Sequence, residues 1–463
     1  MTAIVDRTRA RPSVAQPSSV VTLRVRSLWA YFVAQDLTFW AMCSYLVVEY
    51  VRPQQFIGAL YGARLGQVAL GTATVAFFVS GRWFRMHTVA SWLLLIFTGV
   101  IVASSIFAYN PAISFDKLRN WLSWVLIFFL ISNVINTKQR FAFFVFVWLG
   151  CHTYMAQGGT RQFAMRGFRF APWGLIGAPG WFANSGEFAI AMSMYSAVAW
   201  HYYVAARSRM TRWGKVGLLS MVAMGVLCVI GSSSRGSELG LLAIAVCLLL
   251  RSKRFVRTGL SLAVAGFLVW AILPAEQKAR FATAGDDHTS LERKVYWLNG
   301  LDMVRSHPTL GIGYENWMTY YSTHYRDSEA SDTYNIHTVQ VSHNIFIQCM
   351  AELGYTGLII FLALIFSTLW INRQTRKAVR RGAGPPDELI FNMALALDEA
   401  MIGYLVAGFF VTVLYYPFFW INLALTVALA GIAARRAPVL PVRRGVQRRA
   451  MRARLPATPA TQR

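Results

Sequence analysis

The sequence predicts an all-α, polytopic integral membrane protein of about 12 transmembrane helices with one large, partly helical loop outside the membrane. Three observations carry this. Of the 463 residues, 56% are hydrophobic and only 14% charged, whereas a soluble domain carries about a quarter charged residues; there is too little polar surface to coat a water-soluble body. Apolar runs near 89–107, 217–230 and 356–371 approach the roughly 20 residues that span a bilayer. Finally, the excess of Lys and Arg behind the formal charge of +25 falls in short segments between apolar runs. That is the positive-inside pattern of a membrane protein rather than a nucleic-acid surface, so nucleic acid is not among the expected partners and membrane lipid is.

The spans fall approximately at 37–51, 66–80, 88–108, 119–135, 140–157, 186–205, 214–231, 236–251, 256–273, 343–371, 390–415 and 417–435, the first being short and able to begin nearer Leu28. Alternate connections are densely basic: Arg207, Arg209, Arg212 and Lys215; Arg251, Lys253, Arg254 and Arg257; Arg373, Arg376, Lys377, Arg380 and Arg381. Both tails join this set through Arg24, Arg26, Arg435, Arg436, Arg443 and Arg444. An even number of spans places all of them on one side, the cytoplasm. The expected organisation is a basic cytoplasmic tail at 1–27 and nine spans over 28–274 with an outer loop near 158–185. A large outer loop follows at 275–342, then three spans over 343–436 and a disordered cytoplasmic tail at 437–463. The N-terminal tail lacks a small-residue cleavage site before the first apolar stretch and reads as uncleaved.

The 275–342 loop is expected to be partly ordered. Thr289 and Glu292 have capping-box spacing. Val295, Leu298, Leu301 and Val304 form an apolar stripe at helical spacing, and His307-Pro308 ends the helix. The five cysteines lie in or beside apolar runs with no CxxC pair, as small core residues do, so neither a disulfide framework nor a zinc site follows. No DxD motif for a nucleotide-sugar metal and no Walker motif appears; Asp286-Asp287-His288 has metal-type ligands but in adjacent loop positions.

Candidate chemistry comes from arginines on the outer side. Arg161, Arg166 and Arg169 occupy the first outer loop, Arg235 follows Ser232-Ser233-Ser234 in a tight turn between two spans, and Arg280 and Arg293 belong to the long loop. A charge near the membrane interior costs about 2.5–3.5 kcal/mol on insertion scales. An anionic ligand compensates, since the guanidinium fork donates two parallel hydrogen bonds to phosphate oxygens; snorkelling to headgroups or pairing with loop carboxylates compensates as well. Ser342-His343-Asn344 stands where the long loop re-enters the membrane. His343 there is suited to accept a proton from a hydroxyl; the plainer alternative is a helix start with Ser342 as cap and His343 and Asn344 as interfacial polar groups. Glu352, about two turns deeper, is an unusual residue for a span, pairing with an arginine or facing a water-filled cavity.

Taken in order, four stretches resemble the O-antigen ligase/polymerase superfamily of bacterial envelope enzymes. They are Ser232-Ser233-Ser234-Arg235-Gly236; Arg293 through Trp297; His307-Pro308-Thr309-Leu310-Gly311-Ile312-Gly313-Tyr314-Glu315-Asn316; and Ser342-His343-Asn344-Ile345 continuing to Glu352-Leu353-Gly354-Tyr355-Thr356-Gly357. The resemblance covers roughly residues 230–360. Tyr50-Val51-Arg52-Pro53-Gln54 is also similar to the exosortase-associated O-glycosylation ligase branch. The resemblance implies a GT-C-like glycosyltransferase of the bacterial inner membrane with a periplasmic active site. It implies metal-independent, inverting transfer of a glycan from undecaprenyl pyrophosphate to a sugar hydroxyl of lipid A-core, with no cofactor. It assigns catalytic roles to His343, Arg235 and Arg293, and substrate binding to Arg280; Arg161, Arg166, Asn344 and Glu352 complete the expected substrate-binding set. An O-antigen polymerase or a protein O-oligosaccharyltransferase shares the donor and differs in the acceptor. A lipid-linked sugar transporter is the alternative outside enzymes, and it lacks support because neither inverted repeats nor mid-membrane broken helices are evident in the sequence.

Overall fold

The structure, a computed structural model, describes residues 25–436 apart from 87, 171–172, 273–274, 276–277, 279–286 and 383–384. Residues 1–24 of the expected N-terminal tail, the expected C-terminal tail, Arg280 and Asp286 lie outside the described residues, and Val25 to Ser27 begin the first helix. Among the described residues, the regular structure is helical and no strand occurs. In chain order the helices are α1 (Val25–Val33), α2 (Leu37–Tyr50), α3 (Leu65–Val79), α4 (Val89–Ile106), α5 (Pro111–Val134), α6 (Lys138–Met165), α7 (Ser185–Ala206) and α8 (Arg212–Gly231). They continue as α9 (Arg235–Arg251), α10 (Phe255–Ile272), α11 (His288–Ser306), α12 (Trp317–His324), α13 (Glu329–Tyr334), α14 (Ile345–Arg381), α15 (Glu388–Gly408) and α16 (Pro417–Arg436).

Each of the twelve expected spans coincides with a helix, but the number of crossings does not follow from that. Among the described residues five helices (α4, α8, α14, α15 and α16) are long and apolar enough to cross a membrane, or six if the bent pair α1–α2 counts as one. The physical reason is visible in α7. Protein encloses it on nearly every side, and its buried face carries Ser193, Ser196 and His201, so its hydropathy is set by packing against neighbours rather than by lipid.

Several boundaries differ from expectation. The first expected span, 37–51, is α2, and its extension toward Leu28 is a separate helix, α1, meeting it at 120°. Asp36 breaks the chain there: it caps α2 by accepting the Phe39 N–H at 2.9 Å and holds Arg82 (2.6 Å) and Arg140 (2.8 Å). Helix α6 runs eight residues past the expected end of its span, to Met165. Gly158 and Gly159 do not stop it, because Gly159 packs where a β-carbon would meet Cys228 Sγ at 2.9 Å. The first outer loop therefore begins at Arg166, not at 158. Helix α11 is capped by Asp287, which accepts the Ser290 N–H at 2.8 Å, rather than by a Thr289–Glu292 box. Its buried face is Val295, Tyr296, Asn299, Gly300, Met303 and Val304, while Leu298 and Leu301 are exposed. Helix α14 is capped by Asn344, not Ser342: the Asn344 side chain accepts from the Phe346 and Ile347 N–H groups at 2.8 and 3.1 Å.

Helix α15 is the hub of the bundle, packing on α7, α9, α14 and α16. Buried polar groups tie it to its neighbours. Glu399 accepts from Arg251 (3.0 Å) and pairs with His201 (2.8 Å), and Asp398 accepts from Arg376 (2.6 Å) and Asn372 (3.0 Å). Unpaired, such carboxylates would be costly in an apolar interior; paired, they fix which helices meet.

Candidate active site

The site starts from a break in α14. Gly354 has φ +66° and ψ −171° inside the helix, a backbone region essentially restricted to glycine. The break frees helix carbonyls, and the loop 308–316 satisfies them. Ile312 N–H donates to the Ala351 carbonyl (2.8 Å), Gly313 N–H to that of Glu352 (3.2 Å), and Tyr355 N–H to that of Pro308 (2.8 Å). The approach is close because of glycine: a β-carbon on Gly311 would lie 2.4 Å from the Glu352 carbonyl carbon, and one on Gly354 2.3 Å from the Thr309 oxygen. On its far side the loop is pinned to the start of α5. Asn316 donates to Ser114 Oγ at 2.7 Å, Ser114 donates to the Tyr314 carbonyl at 2.6 Å, and Asn110 N–H donates to Asn316 Oδ1 at 2.8 Å.

Above this break lies a chamber of about 530 Å³. The α8–α9 turn contributes Ser233, Ser234 and Arg235; α11 contributes Thr289 and Arg293; the re-entry segment contributes Ser342 and His343; α14 contributes Gln348 and Glu352. Among the described residues, three of the six non-glycine residues with positive φ, Ser233, Glu315 and His343 (φ 57°, 58° and 49°), line this chamber. Strained backbone of this kind persists only where surroundings over-determine it. At His343 they do: its N–H donates to Thr412 Oγ1 at 2.7 Å, and Trp297 of α11 donates to the Ser342 carbonyl at 3.0 Å.

The chamber carries groups of both charges. Arg235 pairs with Asp287 at 2.5 Å, and that hydrogen bond holds the Asp287 carboxyl at about 2. Arg293 has no carboxylate within ion-pair distance among the described residues, and its buried Nε has no hydrogen-bond partner; burial first, then the Arg235 charge, pulls its pKa down. Burial and the Arg293 charge bring the His343 imidazole down to about 4, so it is neutral at pH 7. Its Nε2 faces Gln340 Oε1 at 3.4 Å. Glu187, Glu315 and Glu352 also line it. Burial pushes the Glu315 carboxyl up, with Lys117 opposing. The Glu352 carboxyl belongs to a residue 1% exposed and accepts from Trp317 N–H (3.3 Å) and Gln348 (3.4 Å). Trp121, Trp124, Trp181, Tyr314, Tyr415 and Tyr416 form aromatic walls.

Of the residues singled out from sequence, Arg235, Arg293, His343 and Glu352 line one chamber. Asn344 is buried beneath it as the α14 cap. Arg161, near the C-terminal end of α6, and Arg166, its cap, are exposed and do not line it. Asp287 and His288 face Arg235 and Glu292 respectively, and among the described residues no three of His, Cys, Asp or Glu are grouped to hold a metal ion. Sequence reasoning overlooked Lys117, Glu187, Glu315, Thr412 and the tyrosines of 414–416. Only Glu315 carried a signal, as the acid inside the Gly311–Asn316 motif.

The arrangement is suited to hold an anionic leaving group against two guanidinium groups while a neutral imidazole removes a proton nearby. Residues 219–362 match the family model described as O-antigen ligase; the matched stretch holds Arg235, Arg293, Glu315, His343 and Glu352. No curated protein matches the chain.

Proposed function

We propose that the chain is an O-antigen ligase, a reading supported by the match of residues 219–362 to the family model described as O-antigen ligase. It transfers a glycan from undecaprenyl pyrophosphate to a sugar hydroxyl of lipid A-core on the periplasmic face of the inner membrane. The observation that carries this reading is the juxtaposition of Arg235, Arg293 and His343 around one chamber. In this reading about twelve helices cross the membrane, the 275–342 loop lies in the periplasm, and the tails are cytoplasmic.

The acceptor oxygen attacks the anomeric carbon from the face opposite the pyrophosphate. His343 takes the proton from that oxygen, the bond from the anomeric carbon to the pyrophosphate oxygen breaks, and undecaprenyl pyrophosphate leaves with the electron pair. Direct displacement inverts the anomeric centre. Arg293, which has a buried donor without a partner, and Arg235, already ion-paired to Asp287, stabilise the charge that develops on the leaving group. A charge-assisted hydrogen bond contributes about 1.5–3 kcal/mol, and more of it acts on the rate where the donors are preorganised away from water. In this scheme the arginines supply the neutralisation that a divalent cation supplies in other lipid-linked transferases.

Purified protein in liposomes, given an undecaprenyl-pyrophosphate-linked glycan together with lipid A-core, free repeat unit or a Ser/Thr/Tyr peptide, separates the possible acceptors. Transfer to lipid A-core that survives a chelator is expected. Elongation of the donor glycan alone would make the enzyme a polymerase, and transfer to peptide alone a protein O-oligosaccharyltransferase.

A further inference from the structure

The Tyr50–Gln54 motif belongs to neither the matched domain nor the mechanism above, yet through Glu49 it is tied to Trp181, a residue that lines the chamber. Arg52 is left-handed (φ 57°) immediately before Pro53, where helical conformations of either hand are disfavoured. Its guanidinium lies flat on Gly180 (φ +91°), where a β-carbon would meet Arg52 Cζ at 2.6 Å. Glu49 sits between the two segments: its Oε1 accepts from Arg52 Nη2 at 3.4 Å and from the indole N–H of Trp181 at 2.7 Å. Trp181 is half-buried and lines the chamber. Its ring meets Tyr416 and Trp124 edge-on, with centroids at 4.9 and 5.5 Å, and Tyr416 donates to Glu187 Oε1 at 2.8 Å. An indole plate locked at its N–H, beside a carboxylate and a phenol, suits a ligand with an apolar C–H face and hydroxyls at its rim.

Resting on the glycan-transfer reading, we propose that Trp181 is the wall against which a sugar ring of the donor or the acceptor packs, and that Glu49 and Arg52 are positioning residues that hold the indole in place. The SYLVVEYVRPQ stretch is thus part of the substrate site although it lies far from the matched domain in sequence.

The test is the steady-state kinetics of the reconstituted full chain with both substrates varied, plus the inhibition constant of sugar-free undecaprenyl pyrophosphate. Trp181→Leu, which fills space but cannot stack, should raise KM for one sugar substrate about tenfold with kcat within about threefold, a loss of the size expected for an aromatic contact. The substrate affected tells donor from acceptor. Trp181→Phe should recover most of the loss. The inhibition constant of the sugar-free lipid should not move, which a general distortion of the chamber would not permit. Glu49→Ala should reproduce the Trp181→Leu profile, whereas Glu49→Gln, which keeps an oxygen for the indole N–H, should resemble wild type. Unchanged KM in Trp181→Leu, or equal weakening of the sugar-free lipid, overturns the wall; a wild-type-like Glu49→Ala overturns the positioning role. A wild-type protein that transfers no glycan to any acceptor overturns the functional reading and the wall with it, whereas an active wild type with an unaffected Trp181→Leu overturns the wall alone.

Discussion

His343 is held in a left-handed conformation by Thr412 and kept neutral by burial and by Arg293. Neutrality is what a proton acceptor needs, and it fixes a pH dependence. A histidine with its ordinary value would lose activity as pH falls below about 6.5. His343, held at about 4, should keep its accepting form well below that, so the acidic limb of kcat/KM lies nearer 4 than 6.5. Arg293→Gln removes a repulsive charge and should move that limb upward as well as lower kcat; a limb that stays put would break the coupling between the two residues. His343→Ala should reduce transfer by at least about 100-fold, the usual scale for a general base, with the folded fraction unchanged by size-exclusion chromatography. The same scale shows what the sequence made legible. Arg235 and His343 stood out as charged or titratable groups beside apolar runs, and Arg293 as an arginine of the long outer loop. Lys117, Glu187 and Tyr416 did not, because each looks like an ordinary interfacial residue until three distant elements bring them around one cavity.

At the scale of elements, the resemblance motifs prove to be parts that bind one another. The Gly311-Ile312-Gly313 turn docks in the break of α14 at Gly354, so two stretches about 40 residues apart in the sequence form one hydrogen-bonded unit under Glu352. Gly354→Ala places a β-carbon against Thr309 and forces a backbone that side chains disfavour by about 1–3 kcal/mol. It should lower the thermal unfolding midpoint and remove activity together, and an alanine variant of normal stability would contradict the docking. The helices themselves were readable from periodicity and apolar runs. Their ends were not. Asp287 outcompeted the Thr289–Glu292 spacing as the α11 cap because it also meets Arg235, and Asn344 outcompeted Ser342 because its side chain reaches two N–H groups. The stripe on α11 was misassigned at Leu298 and Leu301 because helical spacing alone does not say which side the neighbours occupy.

For the whole molecule, hydropathy overstated what can be counted. Helices such as α7 are clothed by protein, so composition neither demands nor forbids a crossing. Topology is testable by a cysteine introduced at exposed Ser322: it should react with a membrane-impermeant thiol reagent from the periplasmic side, and protection there with reaction from the cytoplasmic side would invert the orientation. Integrity of the bundle should depend on the buried Arg376–Asp398 and Arg251–Glu399 pairs. Asp398→Ala strands a cation and should cost about 3–5 kcal/mol, seen as a lower unfolding midpoint. The central claim, that this chamber joins a lipid-linked glycan to an acceptor hydroxyl, is tested most directly by single-turnover transfer in proteoliposomes. The donor would be radiolabelled, lipid A-core would be the acceptor, and wild type would be compared with His343→Ala. Labelled lipopolysaccharide formed by wild type and not by the folded variant is the predicted result; equal transfer by both, or none by wild type, would contradict it.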